Sequence, residues 1–198
     1  MATRLIHLSS VRGPAIGRPG SGAVLHRSSV APLRPGYERA KRALDLSVCL
    51  LWLPAALVVM AFTALAVLLC DGRPIFFCQQ RTGRGGRSFR MYKFRTMVVN
   101  AAELKASLAH RNQLSGPDFK LADDPRVTRL GALLRKTSLD EVPQVLNVLR
   151  GEMSLVGPRP ASFAASTYDL WHIERLEVLP GITGLWQVSG RSDVDFDD

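Results

Sequence analysis

At 198 residues the chain has room for one domain and some appendages, and its formal charge of +9, with lysine and arginine outnumbering acids 26 to 17, favours anionic partners: nucleic acid, phosphorylated small molecules or an anionic lipid surface. Three cysteines without paired metal spacing point away from a zinc site and from a disulfide framework, and fit a reducing compartment. The four histidines form no metal-ligand pair at helical spacing and receive no role.

Residues 1–36 mix Gly, Pro, Ser and Arg without a sustained apolar period or a signal-peptide cleavage pattern, and read as a basic, largely disordered tail. From Leu46 to Cys70 run 25 residues without a charge, long enough to cross a hydrocarbon core of about 30 Å. Pro54 lies inside that run, where it removes a backbone donor and crowds the preceding turn. Basic residues stand on both flanks: Arg34, Arg39, Lys41 and Arg42 before it, and Arg73, Arg81, Arg84, Arg87, Arg90, Lys93 and Arg95 after it. A spanning helix keeps its cations on the cytoplasmic side, so like charge at both ends predicts that both face the cytoplasm. Residues 37–71 are therefore expected to form a re-entrant helix hairpin broken at Pro54, with two arms of roughly 16 residues and about 24 Å each. A single kinked span is the alternative.

"PIFFCQQRTGRGGRSFRMYKFRTM" (74–97) predicts two short strands around a turn at Gly83, Gly85 and Gly86. Those glycines make no dinucleotide fingerprint, because no helix follows them. Residues 100–112 favour helix, and "LSGPDFKLADDPR" breaks it. "RVTRLGALLRK" predicts a basic amphipathic helix with Leu130, Leu133 and Leu134 on one stripe, suited either to a lipid headgroup layer or to a core.

"SLDEVPQVLNVLRG" places Val142, Val145, Leu146 and Leu149 at helical spacing, with Gly151 as the stop. Asp140 and Glu141 then fall at the helix start. Ser138 and Glu141 match a capping box, Asp140 could itself be the cap, and Pro143 sits in the tolerant first turn, so a purely structural role accounts for the acids taken alone. "EMSLVGPRPAS" sets Arg159 between two prolines, a stiff mounting for a guanidinium that suits a phosphate. "LPGITGLWQVSGR" brings a glycine-rich path to Arg191.

Taken together, "FFCQQRTGRGGRSFRMYKFRTM", "DDPRVTRLGALLRKTSLDEVPQVLNVLRGEMSLVGPRP" and "PGITGLWQVSGR", behind a proline-bearing apolar segment, resemble the bacterial sugar transferases that are monotopic polyprenyl-phosphate phosphoglycosyl transferases. The likeness runs in consistent order over roughly residues 38–197. It implies a membrane-associated α+β protein: the re-entrant hairpin, then a small catalytic domain over 72–198 with a β-hairpin and amphipathic helices, on the cytoplasmic face of the bacterial inner membrane. It implies transfer of a sugar 1-phosphate from a UDP-sugar to undecaprenyl phosphate with release of UMP, the first membrane step of exopolysaccharide, O-antigen or capsule assembly.

By position, the resemblance makes Asp140 and Glu141 the catalytic dyad, Asp140 as nucleophile and Glu141 as metal ligand or proton-handling partner, with Mg²⁺ as cofactor. Arg159, Lys93, Arg135 and Arg191 are the expected contacts to phosphate or sugar. Expected partners are the UDP-sugar, polyprenyl phosphate and membrane lipid rather than nucleic acid, with a homo-oligomer or other glycan-pathway enzymes left open. Val142 replaces the leucine of the family's "DELPQ" block, and Leu53 stands where many relatives carry a serine before the membrane proline. The chain ends at "DVDFDD", where relatives continue, which predicts a shortened C-terminus; it also lacks their N-terminal helix bundle and reads as the small form. The competing class is a membrane-anchored, non-catalytic basic binding or scaffold protein.

Overall fold

A computed structural model describes residues 35–112, 121, 123–160 and 174–188. The tail expected over 1–36 falls almost wholly outside them, as does Arg191. The described part mixes helices with two small sheets. Helix α1 is Pro35–Cys70, β1 is Phe76–Thr82, β2 is Ser88–Phe94, α2 is Ala101–Ser107, α3 is Arg129–Thr137, and α4 is Val145–Arg150. Strands β3 (Ser154–Val156) and β4 (Gly181–Thr183) and the short helix α5 (Leu185–Val188) complete it.

Proline opens α1, where its fixed φ suits a first turn. The helix then runs 36 residues with Pro54 inside it, one element where two arms were expected. Proline removes a single ladder bond, and the helix on either side of it continues. Among the described residues α1 is the one helix long and apolar enough to cross a membrane.

Its two ends are docked and its middle is not. Near the start, Lys41 Nζ donates to Asp45 Oδ1 and to Ser154 Oγ, each at 2.6 Å, while the Ser154 hydroxyl donates to Asp45 Oδ2 at 2.8 Å. Arg42 donates to the carbonyls of Val148 and Leu149, satisfying the last turn of α4 with a cation at its negative end. Near the end, Arg95 Nη2 donates to the carbonyls of Asp71 and Gly72 at 2.6 and 2.7 Å, and Thr128 Oγ1 donates to Asp71 Oδ2 at 2.8 Å. Between these anchors Leu51 is 79%, Trp52 66% and Phe62 70% exposed, so the segment around Pro54 leaves its apolar side chains uncovered by this protein.

Strands β1 and β2 pair antiparallel from Phe76 opposite Phe94 to Thr82 opposite Ser88, around a turn in which Gly85 and Gly86 take positive φ. Side chains alternate along a strand, so Phe89 and Met91 share one face of β2 and join Cys49, Val148 and Met153 in one core cluster. Phe94 lies on the opposite face and packs with Val67 and Leu134 in a second. The first cluster takes Cys49 from the half of α1 before Pro54, and the second takes Val67 from the half after it.

Asn147 ties α4 to β2. Its buried amide nitrogen donates to the Arg90 carbonyl and to Glu152 Oε2, both at 2.7 Å, and its oxygen accepts the Tyr92 backbone N–H at 3.2 Å. Gly151, at φ 81°, ends α4 in the left-handed conformation that favours glycine.

Candidate active site

Lys93 is two residues beyond Met91 on β2, on the strand face that carries Phe89 and Met91 into the core. Its stem follows the apolar face and its ammonium meets Glu141, Nζ to Oε1, at 2.6 Å. Burial pushes the Lys93 ammonium below its ordinary value, and Glu141 opposes that shift. The lysine side chain is 14% exposed and the glutamate 20%, so the pair is shielded yet reachable.

The acids arise from a helix that stops and restarts. Ser138 sits at φ 58°, in the left-handed region, and ends α3 while its N–H bonds back to the Arg135 carbonyl. Residues Leu139–Gln144 then form a 3-10 segment, with Pro143 inside it, before α4 begins. The expected capping box is not made: the Ser138 side chain caps nothing, and Glu141 bonds through its backbone N–H to the Ser138 carbonyl at 3.1 Å. Relieved of a capping duty, the Glu141 carboxylate points to Lys93.

Asp140 is only 7% exposed. Burial pushes its carboxyl above the usual carboxylate range; Lys93 pulls it down, Glu141 pushes it up, and Arg135 pulls it down. Its oxygen is thus more basic and less hydrated than that of a surface aspartate.

Arg159 arrives from the other side. Strands β3 and β4 pair in parallel, Gly157 N–H donates to the Thr183 carbonyl and Gly181 N–H to the Pro158 carbonyl, both at 2.9 Å. A Cβ on Gly181 would stand 2.1 Å from the Gly157 nitrogen, so only glycine lets these backbones lie so close. This clasp carries Arg159 Nη1 to 3.9 Å from Glu141 Oε1. The cleft at this point has Lys93, Glu141, Gln144, Arg159, Arg81 and Gln187 among its lining.

Of the six residues singled out from sequence, Lys93, Glu141 and Arg159 meet directly, and Asp140 is buried beside them. Arg135 stands apart from the cleft lining: its Nε donates to Thr96 Oγ1 at 2.9 Å, and it reaches Asp140 through its field. Arg191 lies outside the described residues. Sequence reading passed over Arg81, Gln144 and Gln187. Gln144 follows the acid pair by three residues and Gln187 closes the "GITGLWQ" run, but neutral amides carry no charge pattern to mark them.

A hard divalent cation is commonly held by one or two carboxylates, with waters and substrate phosphates completing its shell. Glu141 offers one such carboxylate at the cleft. No cluster of three or more acidic, histidine or cysteine groups stands among the described residues to form a dedicated cage. The donor set thus fits an ion shared with a phosphorylated substrate, such as Mg²⁺.

The family profile described as "Bacterial sugar transferase" matches residues 36–198. The chain is 48% identical over 161 residues to the "Galactosyl transferase CpsE" of Streptococcus agalactiae, covering 80% of this chain and 36% of that protein. It is 50% identical over 132 residues to the "Undecaprenyl-phosphate galactose phosphotransferase" of Salmonella typhimurium, covering 64% and 28%. It is 42% identical over 173 residues to the "Exopolysaccharide production protein ExoY" of Rhizobium meliloti, covering 83% and 75%. The chain therefore spans about a third of the first two relatives and three quarters of the last.

Proposed function

This chain belongs to the bacterial sugar transferase family, and from that premise we propose that it moves a sugar 1-phosphate from a UDP-sugar to undecaprenyl phosphate, releasing UMP, with Asp140 as the nucleophile. The observation that carries this reading is the meeting of Glu141, Lys93 and Arg159 at one cleft, with Asp140 buried next to Glu141 in the chain and within the field of Lys93.

A carboxylate oxygen of Asp140 attacks the phosphorus that bears the sugar. The new bond is an acyl phosphate, the bond that breaks is the one to the UMP oxygen, and UMP leaves with that electron pair. An oxygen of undecaprenyl phosphate then attacks the same phosphorus. The acyl phosphate opens, the aspartate is regenerated, and the lipid carries a diphosphate-linked sugar. No proton has to move in either step.

Anion attacking anion is unfavourable unless the phosphate charge is offset. Lys93 and Arg159 at the cleft offset it, and the field of Arg135 acts on Asp140. Glu141 would hold Mg²⁺ together with the donor phosphates, and the bound ion supplies further neutralisation of the diphosphate. Lys93 orients Glu141 for that duty through their 2.6 Å contact.

The acceptor is a lipid, so the site must lie at a membrane. Helix α1 is the candidate anchor, and we take it as re-entrant, with both flanks on the cytoplasmic face of the inner membrane. Two features support this: basic residues flank the apolar run on both sides, and residues on either side of Pro54 pack on the same unit, Asp45 and Cys49 from one arm, Val67 and Asp71 from the other.

The test is incubation of membranes holding the protein with radiolabelled UDP-sugars and undecaprenyl phosphate. Lipid-linked label and UMP should appear together. Without acceptor, mass spectrometry should find a phosphosugar on Asp140; lipid product that accumulates with no such adduct overturns the proposed intermediate.

A further inference from the structure

We infer that Gln187 is a donor-recognition residue, whose carboxamide hydrogen-bonds a neutral hydroxyl or amide edge of the nucleotide sugar. The inference rests on the transferase reading above. Gln187 sits on α5, directly after the β3–β4 clasp, and lines the cleft that holds Lys93, Glu141 and Arg159. Both its amide atoms, Nε2 and Oε1, are buried, and neither finds a hydrogen-bond partner among the described residues. Leaving such a group unsatisfied costs a folded protein the full desolvation of that group. An apolar residue of the same size would avoid that cost, so a carboxamide at the wall of a substrate cleft points to a partner that arrives with the substrate.

Its chemistry narrows the partner. A carboxamide offers two donors and one acceptor with no charge. Diphosphate oxygens only accept, so they would leave Oε1 unpaired, and the cleft already holds Lys93, Arg81 and Arg159 for them. A group that both donates and accepts fits better: a hydroxyl of the transferred sugar or of the ribose, or the amide edge of a pyrimidine. A site built to hydrogen-bond such a group rejects analogues lacking it far more strongly than an apolar wall does.

The experiment compares the full chain in lipid nanodiscs with Gln187→Leu and, should Leu impair folding, with Gln187→Met. Each is assayed with undecaprenyl phosphate and two donor sets, one varying the sugar (UDP-galactose, UDP-glucose and their N-acetyl and deoxy forms), the other varying the base and ribose on one sugar. The donor-free melting temperature of the variant should equal or exceed that of the wild type, because an orphan amide has been removed. KM for the preferred donor should rise roughly tenfold or more, and discrimination should collapse within one set, which identifies the group bound. A folded variant with wild-type KM and selectivity ratios overturns the assignment, as does a lower melting temperature with selectivity intact, the mark of a structural amide. A wild-type chain that forms no lipid-linked product defeats the transferase reading itself, and with it the role given to Gln187.

Discussion

Lys93 Nζ and Glu141 Oε1 lie 2.6 Å apart although 48 residues separate them in the chain, one on the inner face of a β-strand and the other on a 3-10 turn. The contact joins the β-hairpin to the acid pair and places the shielded ammonium within the field of Asp140. Lys93→Met keeps the length of the stem and removes the charge. It should lower kcat/KM by about 10²–10³, in the range found when one preorganised electrostatic donor is lost. Lys93→Arg should recover little, since a planar fork does not fit where a compact ammonium makes one short bond. Steady-state assays with the labelled donor decide this; near-normal turnover by the Met variant would remove Lys93 from the site.

The raised carboxyl of Asp140 makes a prediction about stability as well as rate. A carboxyl that binds its proton more tightly folded than unfolded stabilises the protein most at low pH, and that contribution is lost as pH rises from the ordinary carboxylate range through the raised value. Asp140→Asn mimics the protonated form. The variant should form no lipid-linked product at any pH, melt a few degrees above the wild type at pH 7, and lose that advantage below about pH 4, where both side chains are neutral. Thermal melts at a series of pH values check the sign, and a variant less stable than the wild type at pH 7 contradicts it.

What the sequence allowed to be read, and what it hid, divide along physical lines. The hairpin showed because aromatic residues stand on both sides of a glycine-rich turn, and the long apolar helix because 25 uncharged residues have few other uses. Arg159 showed through its mounting between two prolines and Lys93 through motif likeness, and the structure brings both to Glu141. The capping box failed because "SLDE" satisfies the pattern in composition, whereas Ser138 closes α3 in the left-handed conformation, which the pattern does not record. Gln187 escaped notice because burial of an unpaired amide is a property of three-dimensional surroundings, with no trace in spacing or charge.

Asn147 should prove the costliest polar residue to remove. It is fully buried, and its side chain bonds Arg90, Tyr92 and Glu152 while its carbonyl accepts from Glu152 and Met153. Asn147→Ala strands the Tyr92 N–H and the Arg90 carbonyl and should cost about 2–4 kcal/mol. Asn147→Asp keeps the acceptor for Tyr92 but sets a second carboxylate against Glu152, and should be no better. Denaturant or thermal unfolding in detergent measures both; a loss below about 1 kcal/mol in each would show that the network carries little.

Gly181→Ala tests the clasp that mounts Arg159. The new methyl would meet the Gly157 nitrogen at 2.1 Å and the Thr183 carbonyl oxygen at 2.5 Å, backbone atoms that cannot swing aside as a side chain can. The β3–β4 contact must open, and Arg159 moves with it. Transfer should fall at least tenfold, since small displacements of a positioning group are costly in rate. Gly36→Ala, with nothing within 4 Å of its added carbon, is the matched control and should leave activity unchanged. Equal activity in the two variants would mean that the close approach does not position the arginine.

The topology of α1 can be read with single cysteines at Ser29 and Ser88, after replacing Cys49, Cys70 and Cys78 by serine or alanine. Cys70 and Cys78 are exposed and would otherwise react with the probe. A re-entrant helix leaves both engineered thiols on the cytoplasmic side, so a membrane-impermeant maleimide should label neither in intact cells and both after permeabilisation. The energetic reason lies at the two ends of the helix: Asp45, Cys49, Val67 and Asp71 all keep their partners in one unit, and pulling either end across the bilayer would strip the Lys41–Asp45–Ser154 network or the Arg95 and Thr128 contacts of Asp71. Pro54→Leu restores the missing donor in the apolar run and should let a fraction of the chains span the bilayer, seen as labelling at the Ser29→Cys site without permeabilisation. Labelling of that site in the unsubstituted helix would instead establish a full span, with the N-terminal arm released from β3 and α4.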